Sequence, residues 1–206
     1  MPGLSNDPGD LRDAAVTVAV VPYAVVSYAL MLALVYFSVV DLCHRPFLSS
    51  LGLRRPSAKG LGLSILAGVG VAAIFMGLSA VVPPDDDQDP GNPLTRLAES
   101  GPLGHVLWIL IAVGLAPLAE EVLFRGYIYL GARQTLGPIG AGALVTSLFT
   151  VMHLTSTGTY RPAIGGVLLG GITLVVVMER TSNLTCCIAI HTAYNGTLAA
   201  ISFLYV

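Results

Sequence analysis

The sequence predicts an all-α fold: a polytopic membrane helix bundle with about six transmembrane helices. Two features of the composition carry this prediction, because 54% of the 206 residues are hydrophobic and only 11% are charged. A soluble domain carries about 25% charged residues, which help to cover its core with polar surface. The mean hydropathy of +0.79 agrees with a membrane protein. The composition therefore excludes a soluble enzyme, a nucleic-acid binder and a disordered chain.

Six apolar stretches are the candidate transmembrane helices. They run from about Ala14 to Val40, Leu61 to Val82, Leu103 to Leu130, Pro138 to Leu154, Pro162 to Met178 and Leu184 to Val206. A helix needs about 20 apolar residues to cross the hydrocarbon core, so the fifth stretch is short. Six spans leave no room for a separate soluble module, and we expect one integral-membrane domain over residues 1–206. The acidic residues before the first stretch argue against a cleaved signal peptide.

The charges of the first two loops predict the orientation of the chain. The loop from Asp41 to Gly60 carries four basic side chains, whereas the loop from Pro83 to Pro102 is strongly acidic. Since cytoplasmic loops are enriched in Lys and Arg, we expect the first loop inside and the second outside. Both termini would then lie outside. We expect the membrane to be a bacterial inner membrane.

Three charged residues interrupt the third apolar stretch: Glu120, Glu121 and Arg125. Each ionised side chain at the centre of a membrane costs roughly 2.5–3.5 kcal/mol on insertion scales, so they require an explanation. Positions four apart share a helix face, and Glu121 should therefore pair with Arg125. Glu120 lies about 100° away around the helix and has no cation on its own helix. It must face a cavity, water or a polar group of another helix.

Polar side chains in two later stretches offer suitable partners. His153 ends the run Phe149-Thr-Val-Met-His153, and His191 and Asn195 share one face of the last stretch. A carboxylate beside a neutral imidazole can hold a water molecule and take its proton. Two N–H donors aimed at one point can stabilise an oxyanion. Together these groups indicate hydrolysis of an acyl bond, with a peptide as the favoured substrate.

Other interpretations of these residues remain open. The common zinc-protease motif HExxH is absent, yet a zinc site built from Glu120, Glu121, His153 and His191 is possible. A non-catalytic membrane protein with a binding or immunity function could retain the same fold. A proton-coupled transporter could also use intramembrane Glu and His, although no internal repeat is visible in the sequence.

Three motifs in order resemble those of the CPBP family of intramembrane proteases, which includes the type II CAAX prenyl endopeptidases and the bacterial Abi proteins. They are EExxxR at Glu120-Glu121-Val-Leu-Phe-Arg125, FxxxH at Phe149–His153, and HxxxN at His191–Asn195. Each motif alone is weak, but all three in order at membrane depth are a strong signal. The motif-bearing core runs from about 103 to 195.

The resemblance implies a glutamate-type peptidase that works without a metal or other cofactor. Glu120 matches the catalytic glutamate, and His153 matches the histidine that helps it to activate water. His191 and Asn195 match the oxyanion-hole pair. The supporting positions are Glu121 and Arg125.

The resemblance also implies a membrane-anchored protein or peptide as the substrate, met within the lipid bilayer. Eukaryotic relatives remove a C-terminal tripeptide after a prenylated cysteine. Some bacterial relatives resemble sorting enzymes that process C-terminal membrane anchors. The sequence leaves the choice between these substrates open.

Overall fold

The computed structural model describes residues 8–83 and 93–202, and its regular secondary structure there is entirely helical. The helices are α1 (Pro8–Tyr36), α2 (Phe47–Ser50), α3 (Ala58–Val81), α4 (Pro93–Glu99), α5 (Gly101–Ile109), α6 (Ala116–Glu121), α7 (Leu130–Thr157), α8 (Arg161–Thr181) and α9 (Leu184–Ser202). Three π-helical segments extend or join them: Phe37–Leu42 after α1, Leu110–Leu115 between α5 and α6, and Val122–Tyr129 between α6 and α7. The acidic segment 84–92 and both chain ends lie outside the described residues, so the orientation stays a prediction.

Within the described part of the chain, five helical stretches are long and apolar enough to cross a membrane. They are Ala15–Leu42, Ala58–Val81, Gly101–Thr157, Arg161–Thr181 and Leu184–Ser202. The third has 57 residues, far more than one crossing needs, and a break divides it into two. The predicted all-α membrane bundle of about six helices is therefore confirmed. The fifth predicted span is longer than expected, because α8 has 21 residues.

The break in the third stretch lies at Gly137, inside α7. Gly137 has φ 68° and ψ 176°. Glycine adopts this conformation more readily than other residues because glycine has no Cβ atom. Pro138 follows, and proline disfavours the helical conformation in the residue before it. The chain therefore turns here and starts a new helix at Pro138, as the sequence predicts. The third span, expected to end near Leu130, instead continues as helix to Leu136.

A central core joins the helices that carry the polar residues. Its buried members come from α1, the segment between α1 and α3, the π-helical segment Val122–Tyr129, α7, α8 and α9. They include Val35, Leu51, Val122, Phe124, Tyr129, Val145, Leu174, Leu184 and Ile190. Large apolar side chains on the outer faces are exposed, such as Val18, Leu66 and Ile139. This outward apolar surface is what a bilayer requires of a spanning helix.

Helices α3 and α9 approach each other closely at Gly68. A Cβ at this position would overlap Ile190 O and lie 2.8 Å from the Ala193 Cβ. Small residues allow such close approach between membrane helices. The packing at Gly68 therefore fixes the position of α9, the helix that carries His191.

Adding one methyl group at Gly68 should destabilise this contact. We expect Gly68→Ala to lower the free energy of unfolding by about 1–3 kcal/mol, because α3 and α9 must separate to accept it. Thermal unfolding in detergent measures the effect. Gly70→Ala is the matched control, since a Cβ there meets no atom within 4 Å. Equal stability of the two variants would contradict the close packing.

Candidate active site

The two glutamates lie on α6, a six-residue helix between two π-helical segments. In the first segment Ala116 N–H donates to Ile111 O, five residues back, and Pro117 has no N–H to donate. Side chains of α9 bond to carbonyls of this wide turn instead. Asn195 Nδ2 donates to Ala112 O at 2.7 Å, and Thr192 Oγ1 donates to Val113 O at 3.1 Å. Helix α9 thus holds the turn that precedes Glu120.

Glu120 contacts polar groups of two other helices. Its Oε1 accepts a hydrogen bond from Tyr28 Oη of α1 at 3.2 Å. Its Oε2 lies 3.8 Å from His153 Nε2 of α7. Oε2 is buried and receives no hydrogen bond from any described residue. The side chains of Glu120 and His153 are 15% and 26% exposed, so both are only partly buried.

The orientation of His153 is set by its own helix. His153 Nδ1 lies 2.8 Å from Phe149 O, and a carbonyl oxygen can only accept a hydrogen bond. Nδ1 therefore carries a proton, and in the neutral ring Nε2 has the free lone pair. This lone pair faces Glu120 Oε2. With a neutral ring and an ionised Glu120, both facing atoms are acceptors, and a donor such as water can bond to both.

Glu121 forms a second, fully buried network. Its Oε1 accepts from Arg125 Nη1 at 3.1 Å and from His191 Nδ1 at 2.9 Å. Arg125 Nη2 also donates to Gly171 O of α8 at 3.3 Å. The side chains of Glu121 and Arg125 are 0% exposed. The predicted pairing of Glu121 with Arg125 is confirmed, and His191 joins it.

Phe149 lies between the two networks. Its ring is 4.3 Å from the ring of His153, 4.4 Å from Arg125 Cζ and 5.9 Å from the ring of His191, measured to ring centroids. Phe124 packs edge-on against it at 5.2 Å. A buried cation over an aromatic face is stabilised by the ring quadrupole. Phe149 therefore stabilises the Arg125 cation, and the His153 ring packs against the Phe149 ring.

The structure brings five of the six predicted site residues into two groups, whereas the sixth, Asn195, bonds to Ala112 O. Glu120 approaches His153, as expected for a shared water, and Glu121 contacts both Arg125 and His191. Asn195 uses one N–H on Ala112 O, and His191 uses Nδ1–H on Glu121, so neither leaves all its donors free. The common cavity expected for Glu120, His153, His191 and Asn195, and the roles assigned to all six residues, stay predictions.

The zinc alternative requires donors that point at one centre. Within residues 8–83 and 93–202, no group of three His, Cys, Asp or Glu side chains is arranged to hold a metal ion. The four proposed ligands divide into Glu120 with His153 and Glu121 with His191. Glu121 Oε1 already accepts from Arg125 and from His191. These residues do not fit a shared four-ligand zinc site as they are arranged.

Three contributors were not identified from the sequence. Tyr28 is one of several tyrosines in an apolar stretch, and no local pattern distinguishes it. Thr192 lies inside the HxxxN motif without a recognised role of its own. The four-residue spacing of Phe149 and His153 was visible, but it did not indicate that Phe149 would contact Arg125.

Comparison with known proteins gives a family match. Residues 102–197 match the family model described as type II CAAX prenyl endopeptidase, Rce1-like. Neither the curated proteins nor the solved structures gave a match to this chain. The matched segment contains all six predicted site residues and leaves out α1 to α4. The resemblance carried by the three motifs is thereby confirmed: residues 102–197 match the Rce1-like family, and the long apolar helices are those of an integral membrane protein.

Proposed function

We propose that the protein is an intramembrane endopeptidase of the glutamate type, in which Glu120 and His153 activate the water that attacks a peptide bond. One observation carries the proposal: the 3.8 Å approach of His153 Nε2 to the buried Glu120 Oε2. Unpaired ionisable groups inside a membrane are expensive and are usually retained for function. The substrate we propose is a membrane-anchored protein or peptide that enters from the bilayer.

Water has the two protons that the paired acceptors need. A water molecule that donates one O–H to Glu120 Oε2 and one to His153 Nε2 directs its oxygen lone pairs away from both. Glu120 then takes a proton as the oxygen attacks the carbonyl carbon, which is general-base catalysis. The same proton can pass to the leaving amine when the intermediate collapses. His153 orients the water, because Phe149 O fixes its Nδ1.

His191 and Asn195 are proposed to stabilise the oxyanion of the intermediate. Asn195 Nδ2 has a second N–H besides the one bonded to Ala112 O. His191 Nε2 can donate only when the ring is protonated, because Nδ1–H is bonded to Glu121. The bond from Nδ1 to Glu121 Oε1 gives Glu121 a role in this proposal, which is to orient the His191 ring.

Comparative membrane proteomics tests the proposal. Native-host cells carrying wild type, Glu120→Gln or Glu99→Gln are compared for uncleaved membrane proteins. Glu99 is an exposed carboxylate at the end of α4 and serves as the matched control. We expect at least one full-length substrate to accumulate with Glu120→Gln only. Identical profiles for all three strains would refute the proposal and favour the non-catalytic binding protein.

Metal removal should leave the activity unchanged. We expect a chelator to have no effect on cleavage by the purified enzyme, and elemental analysis to find less than stoichiometric zinc. The physical reason is that the carboxylates and imidazoles form two separate pairs. Loss of activity on chelation, with recovery on adding zinc, would instead make Glu120 a ligand.

A further inference from the structure

We propose that Tyr28 of α1 is a positioning residue that fixes the orientation of the Glu120 carboxylate. The catalytic consequence rests on the proposed function of Glu120, whereas the contact itself does not. Tyr28 lies 92 positions before Glu120 and outside residues 102–197. The site is therefore completed by a helix that the family match does not include.

The surroundings of Tyr28 show that its hydroxyl is directed inward. The side chain packs against a small core formed by Ala24, Leu97 and Ile111. A phenolic hydroxyl in an apolar environment costs free energy unless it forms a hydrogen bond. Glu120 Oε1 is the acceptor, at 3.2 Å. Tyr23, five residues earlier on the same helix, is by contrast 74% exposed.

The carboxylate of Glu120 requires an external restraint. The terminal torsion angle of a glutamate side chain has a broad distribution with little preference for one value. Tyr28 bonds one oxygen, and the other then faces His153 Nε2. Without the hydroxyl, the carboxylate can rotate and either oxygen can leave His153. Tyr28 thus selects Oε2 as the oxygen that takes the proton from water.

Labelling with dicyclohexylcarbodiimide, an apolar reagent that reacts with carboxyl oxygens inside membranes, tests the contact directly. We expect mass spectrometry to find more adduct on Glu120 in Tyr28→Phe than in wild type, because the masked Oε1 becomes free. Tyr23→Phe is the matched control and should label as wild type. Glu121, which is 0% exposed, is the internal control and should stay unlabelled. Unchanged or reduced labelling of Glu120 in Tyr28→Phe would overturn the proposal.

Kinetics test the positioning role. With a substrate from the proteomic comparison, we expect Tyr28→Phe to lower kcat by about 10–100-fold with KM unchanged. Adding Tyr28→Phe to Glu120→Gln should lower kcat no further, since both act through one carboxylate. Increased labelling with an unchanged kcat would overturn the positioning role. If wild type cleaves nothing, the proposed function fails, and the labelling alone decides whether Tyr28 holds Glu120.

Discussion

Replacing Glu120 by glutamine is expected to lower kcat by about 10²–10⁴-fold and to leave the helix bundle folded. Glutamine keeps the size of the side chain and can still bond to Tyr28, but its amide cannot take a proton from water. A neutral amide also costs less in a membrane than a carboxylate. Single-turnover cleavage of a peptide substrate in detergent or nanodiscs measures the rate, and thermal unfolding measures the fold.

The matched control for this change is Glu99→Gln, which removes a carboxylate from the exposed end of α4. It should retain the wild-type rate. A Glu120→Gln enzyme with more than a tenth of the wild-type kcat would show that another group takes the proton. Unfolding of Glu120→Gln at a much lower temperature would instead assign Glu120 a structural role.

Removing the buried cation should have the largest effect on stability. We expect Arg125→Met to destabilise the protein by about 3–5 kcal/mol, because Glu121 then keeps a charge with only His191 beside it. The substitution also removes the contacts that the guanidinium makes with Gly171 O and with the Phe149 ring. Expression level and reversible unfolding in mixed micelles are the measurements. A stable, fully active Arg125→Met protein would contradict the importance of this pair.

The double variant Glu121→Gln/Arg125→Met separates charge from packing. It removes both members of the ion pair, so no buried charge is stranded, and it should be more stable than Arg125→Met alone. It should nonetheless be poorly active, because His191 loses the carboxylate that orients it. Equal instability of the single and double variants would indicate that packing around Arg125, and not the Glu121 charge, sets the stability.

The membrane fold and the main polar pairs were predictable because their signals are local. Apolar stretches define the helices, and the i,i+4 spacing of Glu121 and Arg125 places them on one face. The break before Pro138 also follows from two adjacent residues. A charged residue in an apolar stretch is also visible in the local sequence, and this identifies Glu120.

Contacts between distant segments were not predictable in the same way. Tyr28 and Glu120 are 92 positions apart, and an apolar helix gives no indication of which tyrosine faces inward. The contact of His191 with Glu121, 70 positions away, was likewise not predicted from the sequence. The rotation and depth of each helix decide these contacts, and packing sets both.

The π-helical segment before α6, Leu110–Leu115, determines how the site would respond to the loss of one residue. A π-helical turn contains roughly one residue more than an α-helical turn. Deleting one residue from Leu110–Leu115 would remove the extra residue and restore α-helical geometry, so Glu120 and Glu121 should keep their present directions. The widened turn would be lost, and with it the carbonyl positions of Ala112 and Val113 that accept from Asn195 and Thr192. A deletion of one residue within the regular part of α7 would instead rotate the residues after it by about 100°. Leu110–Leu115 is therefore a segment in which the chain can lose a residue and keep the direction of its glutamates, but not their attachment to α9.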